Sequence, residues 1–141
     1  MSVRKVNSVW NGTLKEGKGN MNITGYSGPF TFASRFEDGK GTNPEELVGA
    51  AHSGCYSMFL AALISGEGLT PESVETEAAV TLGQVDGGPA ITNITLTNVT
   101  KCEGLSQEKF AELAAAAKEK CPISRLYAGG TAEIELDAKL V

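Results

Sequence analysis

Histidine, cysteine and basic residues are all scarce in this chain, and each scarcity excludes a class of function. The single histidine, His52, and the three cysteines, Cys55, Cys102 and Cys121, form no CxxC pair and no Cys/His spacing of the zinc type, so no metal site is expected. Lysine and arginine number 12 against 17 acidic residues, for a net charge of −5. Without a basic patch to neutralise phosphates, no nucleic-acid partner is expected.

The beginning of the chain also lacks a long apolar run. The opening residues, MSVRKVNSVWNG, contain no hydrophobic segment of the secretory type, so we expect a cytoplasmic location. In a reducing compartment, cysteines able to pair are more often redox-active than structural. A length of 141 residues fits a single domain over residues 1–141, which buries enough surface to fold without a metal or a disulfide.

Strand patterns dominate the first third of the chain. Three short, partly alternating runs are separated by glycine-bearing turns and predict an antiparallel meander; they are VRKVNSVWNG, GNMNITGY and PFTFASRF. A loop, EDGKGTN, then leads to a helix with Asn43 as its N-cap, Pro44 at its first position and two glutamates in its first turn. We expect this helix to end near Gly66 or Gly68.

The rest of the chain returns to strands and adds two helices. The runs SVETEAAVTLGQV and AITNITLTNVTKC flank DGGP, which predicts a hairpin. A helix over SQEKFAELAAAAKEK has Ser106 as its cap, and a short helix follows Cys121 with Pro122 at its start. TAEIELDAKLV is predicted to be the last strand. The order βββ–α–ββ–α–(α)–β gives an α+β fold with a mainly antiparallel sheet.

The central helix contains no charged residue from Leu47 to Ile64, a run of 18 residues. That length is the lower limit for a membrane span. His52, Ser53 and other polar side chains lower its hydropathy, and no basic clusters flank it, so no membrane partner is expected. We predict a helix buried on nearly all sides. Because a small domain cannot surround a helix completely, we also predict a homodimer with this helix near the interface.

Cys55 lies in the middle of this run, where a thiol can be a small core residue or a nucleophile in an apolar pocket. Apolar burial raises the pKa of a thiol, so a working Cys55 requires a cation beside it. Arg35 is the nearest upstream candidate, and Glu45 can fix its guanidinium plane. Glu45 and Cys55 are ten residues apart, which is about 15 Å along one helix. If both serve one site, a long side chain bridges them or Glu45 comes from the partner chain.

The other candidate residues each have a plain structural interpretation beside the functional one. Cys121 offers a second redox thiol because a helix N-terminus favours a thiolate, but it can also be a simple cap. Arg35 and Glu45 can be a surface ion pair of little energetic value. His52 is more typical of a packing residue than of a base, and Cys102 is interpreted as incidental.

The segments SRFEDGKGTNPEELVGAAHSGCYSMFLA and CPISR together resemble the OsmC/Ohr family, specifically its osmotically inducible protein C (OsmC) branch. The resemblance covers nearly the whole chain. It implies sheets wrapped around long central helices in an intertwined homodimer, with two active sites at the interface. It also implies a thiol-dependent peroxidase that reduces organic hydroperoxides to alcohols and protects against oxidative and osmotic stress.

The same resemblance implies roles for four residues. Cys55 matches the peroxidatic cysteine, Cys121 the resolving cysteine, and Arg35 and Glu45 match the arginine of SRF and the glutamate of NPE. Cys55 would pass through a sulfenic acid to a disulfide with Cys121, and a dithiol of the lipoyl type would reduce that disulfide. Apolar neighbours of Cys55, such as Met58, would favour organic hydroperoxides, and no metal, haem or flavin is needed.

Two other function classes stay open. A non-enzymatic stress or ligand-binding protein on the same fold would leave Cys55 and Cys121 without a cross-link under peroxide. A thiol hydrolase or acyltransferase would use Cys55 with His52, since residues three apart on a helix are neighbours. No acidic residue is placed to orient His52, which weakens the hydrolase alternative.

Overall fold

The computed structural model describes residues 2–141, which form two compact units that divide after Leu47. Both units combine strands and helices, so the predicted α+β class is confirmed. The prediction of one domain over residues 1–141 and that of an intertwined dimer stay predictions. Each unit is described separately below.

The first unit contains a three-stranded antiparallel sheet in the order β1–β2–β3. Its strands are β1 (Asn7–Asn11), β2 (Lys18–Ile23) and β3 (Tyr26–Thr31). A tight turn joins β2 to β3, and Gly25 occupies its left-handed position with a φ of 78°, which a residue with a side chain adopts only at a cost. The predicted meander is therefore confirmed.

A short helix, α1 (Phe32–Phe36), follows β3, where the sequence pattern predicted that the strand would continue to residue 36. The prediction was wrong because Thr31 and Ser34 form a capping box. The Thr31 hydroxyl accepts a hydrogen bond from the Ser34 N–H, and the Ser34 hydroxyl accepts one from the Thr31 N–H. These bonds satisfy two backbone donors and start a helix within an otherwise strand-like run. Arg35 therefore lies on a helix.

The central helix, α2 (Pro44–Gly66), begins and ends where the sequence predicts. The Asn43 side chain accepts a hydrogen bond of 2.8 Å from the Glu46 N–H, as expected of an N-cap. The Glu46 carboxylate accepts a bond from the Thr42 hydroxyl and does not complete a capping box. At the other end, Gly68 has a φ of 79°, the left-handed conformation that ends helices.

Within one chain α2 is buried along a single stripe, and the burial of its other sides, which was expected from a second copy of the chain, stays a prediction. The stripe consists of Gly49, His52, Tyr56, Leu60 and Ile64. These residues recur every three or four positions and therefore share one face. By length and composition α2 would also pass for a membrane span, with a mean hydropathy of 1.5, but a core helix meets the same criterion.

The second unit contains a three-stranded sheet in the order β4–β5–β6. Strands β4 (Ser73–Val85) and β5 (Gly88–Lys101) form the predicted hairpin, whereas β5 and β6 (Glu133–Leu140) are parallel. A parallel pair needs a crossover connection, and here α3 (Gln107–Lys120) and α4 (Pro122–Tyr127) supply it.

Both crossover helices begin at the residues that the sequence predicts. The Ser106 hydroxyl accepts a bond from the Lys109 N–H at the start of α3, and Cys121 is the N-cap of α4 with Pro122 in its first turn. The core of this unit joins α2, β5, α3 and β6 through their apolar side chains. Its main members are Tyr56, Leu60, Ile64, Ile94, Leu96, Phe110, Leu113, Ala117 and Leu140.

Candidate active site

Two cysteines that are 66 positions apart meet in the second unit. Helix α2 carries Cys55, and Cys121 lies at the junction of α3 and α4, so that their Sγ atoms are 2.9 Å apart. That distance is a contact between two free thiols, longer than the bond of about 2.05 Å in a disulfide. Cys121 is fully buried, whereas Cys55 is half-buried. Cys55 is thus the more accessible of the two thiols.

The pKa values of the two thiols are shifted in opposite directions. Burial raises the pKa of Cys55, and the hydrogen bond with Cys121 raises it further. Burial also acts to raise the pKa of Cys121, but hydrogen bonds from Cys55, Ser124 and Ile123 outweigh it and lower the pKa. No lysine or arginine in the second unit (residues 48–141) lowers the pKa of Cys55.

His52 is fully buried beside the cysteine pair, but its hydrogen bond goes elsewhere. Its Nε2 atom lies 2.7 Å from the Ser124 Oγ atom, and its ring meets the edge of Tyr127 at a centroid distance of 5.4 Å. Burial lowers the pKa of His52, so its ring is neutral at physiological pH. Since Cys55 contacts Cys121 and His52 contacts Ser124, the structure gives no support to a Cys55–His52 pair for a hydrolase.

Arg35 and Glu45 form an ion pair in the first unit, as the sequence predicts. The Arg35 Nη2 atom donates to Glu45 Oε1 at 2.7 Å, and Nε lies 3.2 Å from both carboxylate oxygens. The side chain of Glu45 is only 12% exposed and that of Arg35 is 34% exposed. The pair is therefore partly buried, and its three contacts fix the orientation of the guanidinium plane.

A pocket of about 370 Å³ opens beside Arg35 in the first unit. The Arg35 guanidinium carbon lies 5.1 Å from the centre of the Phe36 ring, close enough for a cation–π contact. Four of the eight residues that line the pocket are aromatic. The lining residues are Trp10, Gly12, Leu14, Phe30, Thr31, Phe32, Arg35 and Phe36.

The third cysteine, Cys102, is buried at the end of β5, and its thiol is 3.7 Å from the Glu103 carbonyl oxygen. Among the described residues 2–141, Cys102 forms no disulfide and no hydrogen bond with Cys55 or Cys121. In the same part of the chain, no three histidine, cysteine or acidic side chains are grouped closely enough to hold a metal ion. The expectation that the chemistry needs no metal stays a prediction.

Comparison with known proteins agrees with this arrangement. The model of a protein family described as "OsmC-like protein" matches residues 37–137. The chain belongs to this family. The predicted membership of the OsmC/Ohr family is therefore confirmed.

Relatives from both branches of the family are similar to the chain. Peroxiredoxin OsmC of Escherichia coli is 42% identical, and the match covers 97% of this chain and 96% of that protein. Organic hydroperoxide resistance protein OhrB of Bacillus subtilis is 31% identical over 70% of this chain and 71% of that protein. Among solved structures, an OsmC-like protein from Mycoplasma pneumoniae superposes with a TM-score of 0.79 at 14% identity, covering 99% and 98% of the two chains.

Sequence reasoning missed two features of the site. The Ser124 contact with His52 joins positions 72 apart, and no local pattern signals such a pair. The aromatic pocket was also missed, although Phe30, Phe32 and Phe36 lie close to Arg35 in the sequence. The alternating spacing in PFTFASRF was interpreted as a strand pattern.

Proposed function

We propose that this chain is a thiol-dependent peroxidase that reduces organic hydroperoxides to alcohols. The observation that carries the proposal is the contact of 2.9 Å between the Cys55 and Cys121 sulfurs. Two free thiols at that distance can exchange between a reduced and a disulfide state with little movement. The names of the relatives, a peroxiredoxin and an organic hydroperoxide resistance protein, support the same activity.

The reaction follows from the different exposure of the two thiols. Cys55, the more accessible one, attacks the distal oxygen of the hydroperoxide as a thiolate, the O–O bond breaks, and the alcohol leaves after taking a proton. Cys55 is then a sulfenic acid. Cys121 attacks its sulfur, water leaves, and a Cys55–Cys121 disulfide forms. A dithiol of the lipoyl type returns both cysteines to thiols by accepting the two oxidising equivalents.

Arg35 is proposed to supply the positive charge that Cys55 needs. Burial and the Cys121 contact both raise the pKa of Cys55, which would leave it a thiol at neutral pH. A guanidinium group remains charged at any physiological pH and offers donors to a thiolate and to a peroxide oxygen. Glu45, with its short contacts to Arg35, would hold that group in place.

The pocket beside Arg35 supports an organic substrate over hydrogen peroxide. Its wall includes four aromatic residues, Trp10, Phe30, Phe32 and Phe36. Binding an alkyl or aryl group against these rings removes apolar surface from water, at about 25 cal/mol for each Å². The sequence-based expectation assigned this preference to neighbours of Cys55, but Met58 is 77% exposed in the single chain.

A homodimer with sites shared between chains is part of the proposal. The side of α2 away from the buried stripe exposes Ala51, Gly54, Met58 and Ala62 and carries no charge there. Small residues allow close approach of a second helix, so a second copy can cover this side. We propose that the Arg35–Glu45 pair of each protomer serves Cys55 of its partner.

Mixed chains test the shared site directly. Arg35→Ala and Cys55→Ser chains, each inactive alone, are refolded together in equal amounts. If Arg35 acts across the dimer, about a quarter of the sites should be complete after random pairing of chains, and peroxidase activity should return to that level. No recovery in verified heterodimers would contradict the shared site and leave the peroxidase proposal standing.

Mass spectrometry without reductant tests the reaction itself. One equivalent of cumene hydroperoxide should yield a Cys55–Cys121 disulfide in the unaltered protein and a Cys55 stalled as the sulfenic acid in Cys121→Ser, which further equivalents should overoxidise. Cys55→Ser should consume no hydroperoxide, whereas the matched control Cys102→Ser should behave like the unaltered protein. Unmodified thiols throughout would refute the proposal and favour a binding protein. A cytoplasmic location, where reduced dithiols are available, belongs to the same proposal.

A further inference from the structure

A second set of contacts joins α1 to the start of α2 beside the Arg35–Glu45 pair, and the reaction proposed above does not use it. The Ser34 Oγ atom lies 2.8 Å from the Thr42 carbonyl oxygen. The Asn43 Nδ2 atom donates to the Ser34 carbonyl oxygen at 3.2 Å. Ser34, which both contacts share, is the residue immediately before Arg35. The two segments are therefore linked three times in succession, and the ion pair is the last of the links.

The Ser34 hydroxyl has one hydrogen to donate, and the distances favour Thr42 as its acceptor. The Thr42 carbonyl oxygen is 2.8 Å away, whereas the Thr31 carbonyl oxygen is 3.1 Å away. The same hydroxyl accepts a bond of 2.9 Å from the Thr31 N–H. One side chain thus closes the capping box of α1 and also bonds to the residue that comes just before the cap of α2.

The two inner links are better protected from water than the ion pair. Ser34 is 6% exposed and Thr42 is 5% exposed, whereas the Arg35 side chain is 34% exposed. An ion pair with this exposure stabilises little, because water screens its charges and two long side chains must be held still. A buried hydroxyl that lost its acceptor would cost more. The inner links therefore hold the end of α1 against the start of α2 more firmly than the ion pair does.

Backbone hydrogen bonds anchor the loop of residues 37–42 to the same segment. The Gly39 N–H donates to the Ala33 carbonyl oxygen at 3.1 Å, and the Thr42 N–H donates to the Pro29 carbonyl oxygen at 2.8 Å. The loop is thus held near its middle and at its end. These anchors bring Thr42 next to Ser34, where the side-chain bond described above can form.

Asn43 has a plain structural role as well, because its side-chain oxygen caps α2. That oxygen accepts from the Glu46 N–H at 2.8 Å, while the amide nitrogen of the same side chain donates to Ser34. Serine and aspartate cap helices about as well as asparagine does, but neither carries an amide N–H group. The cap therefore does not require asparagine at this position, whereas the bond to Ser34 does.

We propose that Ser34 and Asn43 are positioning residues for Arg35: their bonds fix the end of α1 against the start of α2, so that the guanidinium group meets Glu45 in one orientation. The inference rests on the proposed function, which gives Arg35 its role at Cys55 of the partner subunit. A misplacement of about 1 Å at a reacting centre can lower a rate about a hundredfold. An arginine on a helix of five residues therefore needs such support.

The first test observes Arg35 itself and needs no peroxide. Its Nε atom lies 3.2 Å from the Glu45 carboxylate oxygens, so NMR should show that the Nε–H exchanges slowly with water. Asn43→Ser and Ser34→Ala should each speed this exchange about fivefold, the effect of one lost hydrogen bond. Ser27→Ala, which removes an exposed hydroxyl from the sheet of the same unit, should not. Unchanged exchange in folded Asn43→Ser would overturn the proposal.

Asn43 variants separate positioning from capping. Asn43→Ser and Asn43→Asp both keep an acceptor for the Glu46 N–H and lose the donor to Ser34. We expect both to slow the oxidation of Cys55 by cumene hydroperoxide about tenfold. If Asn43 only caps α2, both variants should react like the unaltered protein. Failure of the unaltered protein to consume the hydroperoxide would refute the peroxidase, and the exchange measurement would still decide the positioning.

The last test determines whether the effect passes through Arg35. The rate at which iodoacetamide alkylates Cys55 across a range of pH gives the pKa of this thiol in a Cys121→Ser chain. Asn43→Ser should raise that pKa by about half a unit and should leave it unchanged when Arg35→Ala is also present. An equal rise in both backgrounds would contradict the positioning role. If Arg35→Ala alone leaves the pKa unchanged, the proposed function of Arg35 fails instead, and the exchange of its Nε–H still tests the contacts of Ser34.

Discussion

Arg35 meets Glu45 through its Nε and Nη2 atoms, an arrangement that depends on the planar shape of the guanidinium group. Lysine would keep the charge but offers a single point of contact on a flexible stem. We expect Arg35→Lys to lower the rate of Cys55 oxidation about a hundredfold, since the loss of one well-placed charged donor costs roughly that much in enzyme sites. Stopped-flow kinetics of the first oxidation step would measure it, and a loss below about fivefold would contradict it.

Glu45 is expected to matter less, because it acts through Arg35. Glu45→Gln keeps one acceptor oxygen and removes the charge, so we expect about a tenfold loss in the same rate constant, equal to one charge-assisted bond of about 1.4 kcal/mol. Glu46→Gln is the matched control, since Glu46 is the next residue and bonds to Thr42. Equal losses in both variants would indicate that the charges serve only the start of the helix.

His52 makes a prediction about pH because it is the only histidine. Burial lowers its pKa from the ordinary value of 6.5, so the unfolded chain takes up a proton that the folded chain does not. Stability is therefore complete above pH 6.5 and decreases as the pH falls below it. Between pH 7.5 and 5.5, urea unfolding should show about 1 kcal/mol more loss in the unaltered protein than in His52→Gln. Parallel curves would contradict the burial of a neutral ring.

At the scale of single residues, the chemical type of a site residue was easier to predict than its burial or the residue that it contacts. The Arg35–Glu45 pair follows from complementary charges beside a helix start, and the structure contains it. The helix N-terminus marked Cys121 as a second redox thiol, but its pairing with Cys55 came from the family resemblance, since positions 66 apart leave no local trace. The His52–Ser124 bond lies beyond both routes because it depends on how α2 packs against α4.

At the scale of elements, helix ends were predictable and short elements were not. Asn43, Ser106 and Gly68 have side-chain or backbone properties that act within a few residues, and all three mark the ends that the structure has. The short helix α1 was missed because the alternating run PFTFASRF predicts a strand. One capping box, formed by Thr31 and Ser34, makes this segment a helix instead of a strand.

A partly buried chain of polar side chains connects the sheet of the second unit to α2. The Ser57 hydroxyl is 2.7 Å from the Thr76 hydroxyl, and Asn98 donates to Thr76 and accepts from Thr100. These bonds fix the register of α2 across β4 and β5, because sliding the helix would leave buried polar atoms without partners.

Removing the centre of this chain should be costly. Asn98→Ala leaves the Glu75 carbonyl and the Thr76 and Thr100 hydroxyls short of a partner. We expect the free energy of unfolding to fall by about 3 kcal/mol, more than for a single hydrogen bond. Thr97→Ala, exposed on the same strand, should change it by less than about 0.5 kcal/mol. Urea denaturation of both variants would measure the difference, and equal effects would show that the chain does not couple helix and sheet.

At the scale of the whole molecule, the uncharged exposed side of α2 predicts association. Met58, 77% exposed in one chain, is the largest apolar side chain on that side. Met58→Glu would place a charge in the proposed interface and should shift the mass measured by light scattering from dimer to monomer at micromolar concentration. Met58→Leu keeps the apolar volume and should remain dimeric. A dimeric Met58→Glu protein would place the interface elsewhere.

The separation of the two cysteines along the chain has a consequence for heat resistance. A bond between Cys55 and Cys121 would close a loop of 66 residues and stabilise the folded state by about 4 kcal/mol through the reduced freedom of the unfolded chain. For a protein of this size, that corresponds to a rise in melting temperature of about 10 °C. Each hydroperoxide consumed would thus leave a chain with a higher melting temperature. The melting curve of a sample would report the fraction of chains in the disulfide form. The protein would therefore resist unfolding most strongly in the disulfide form, before the dithiol reduces it.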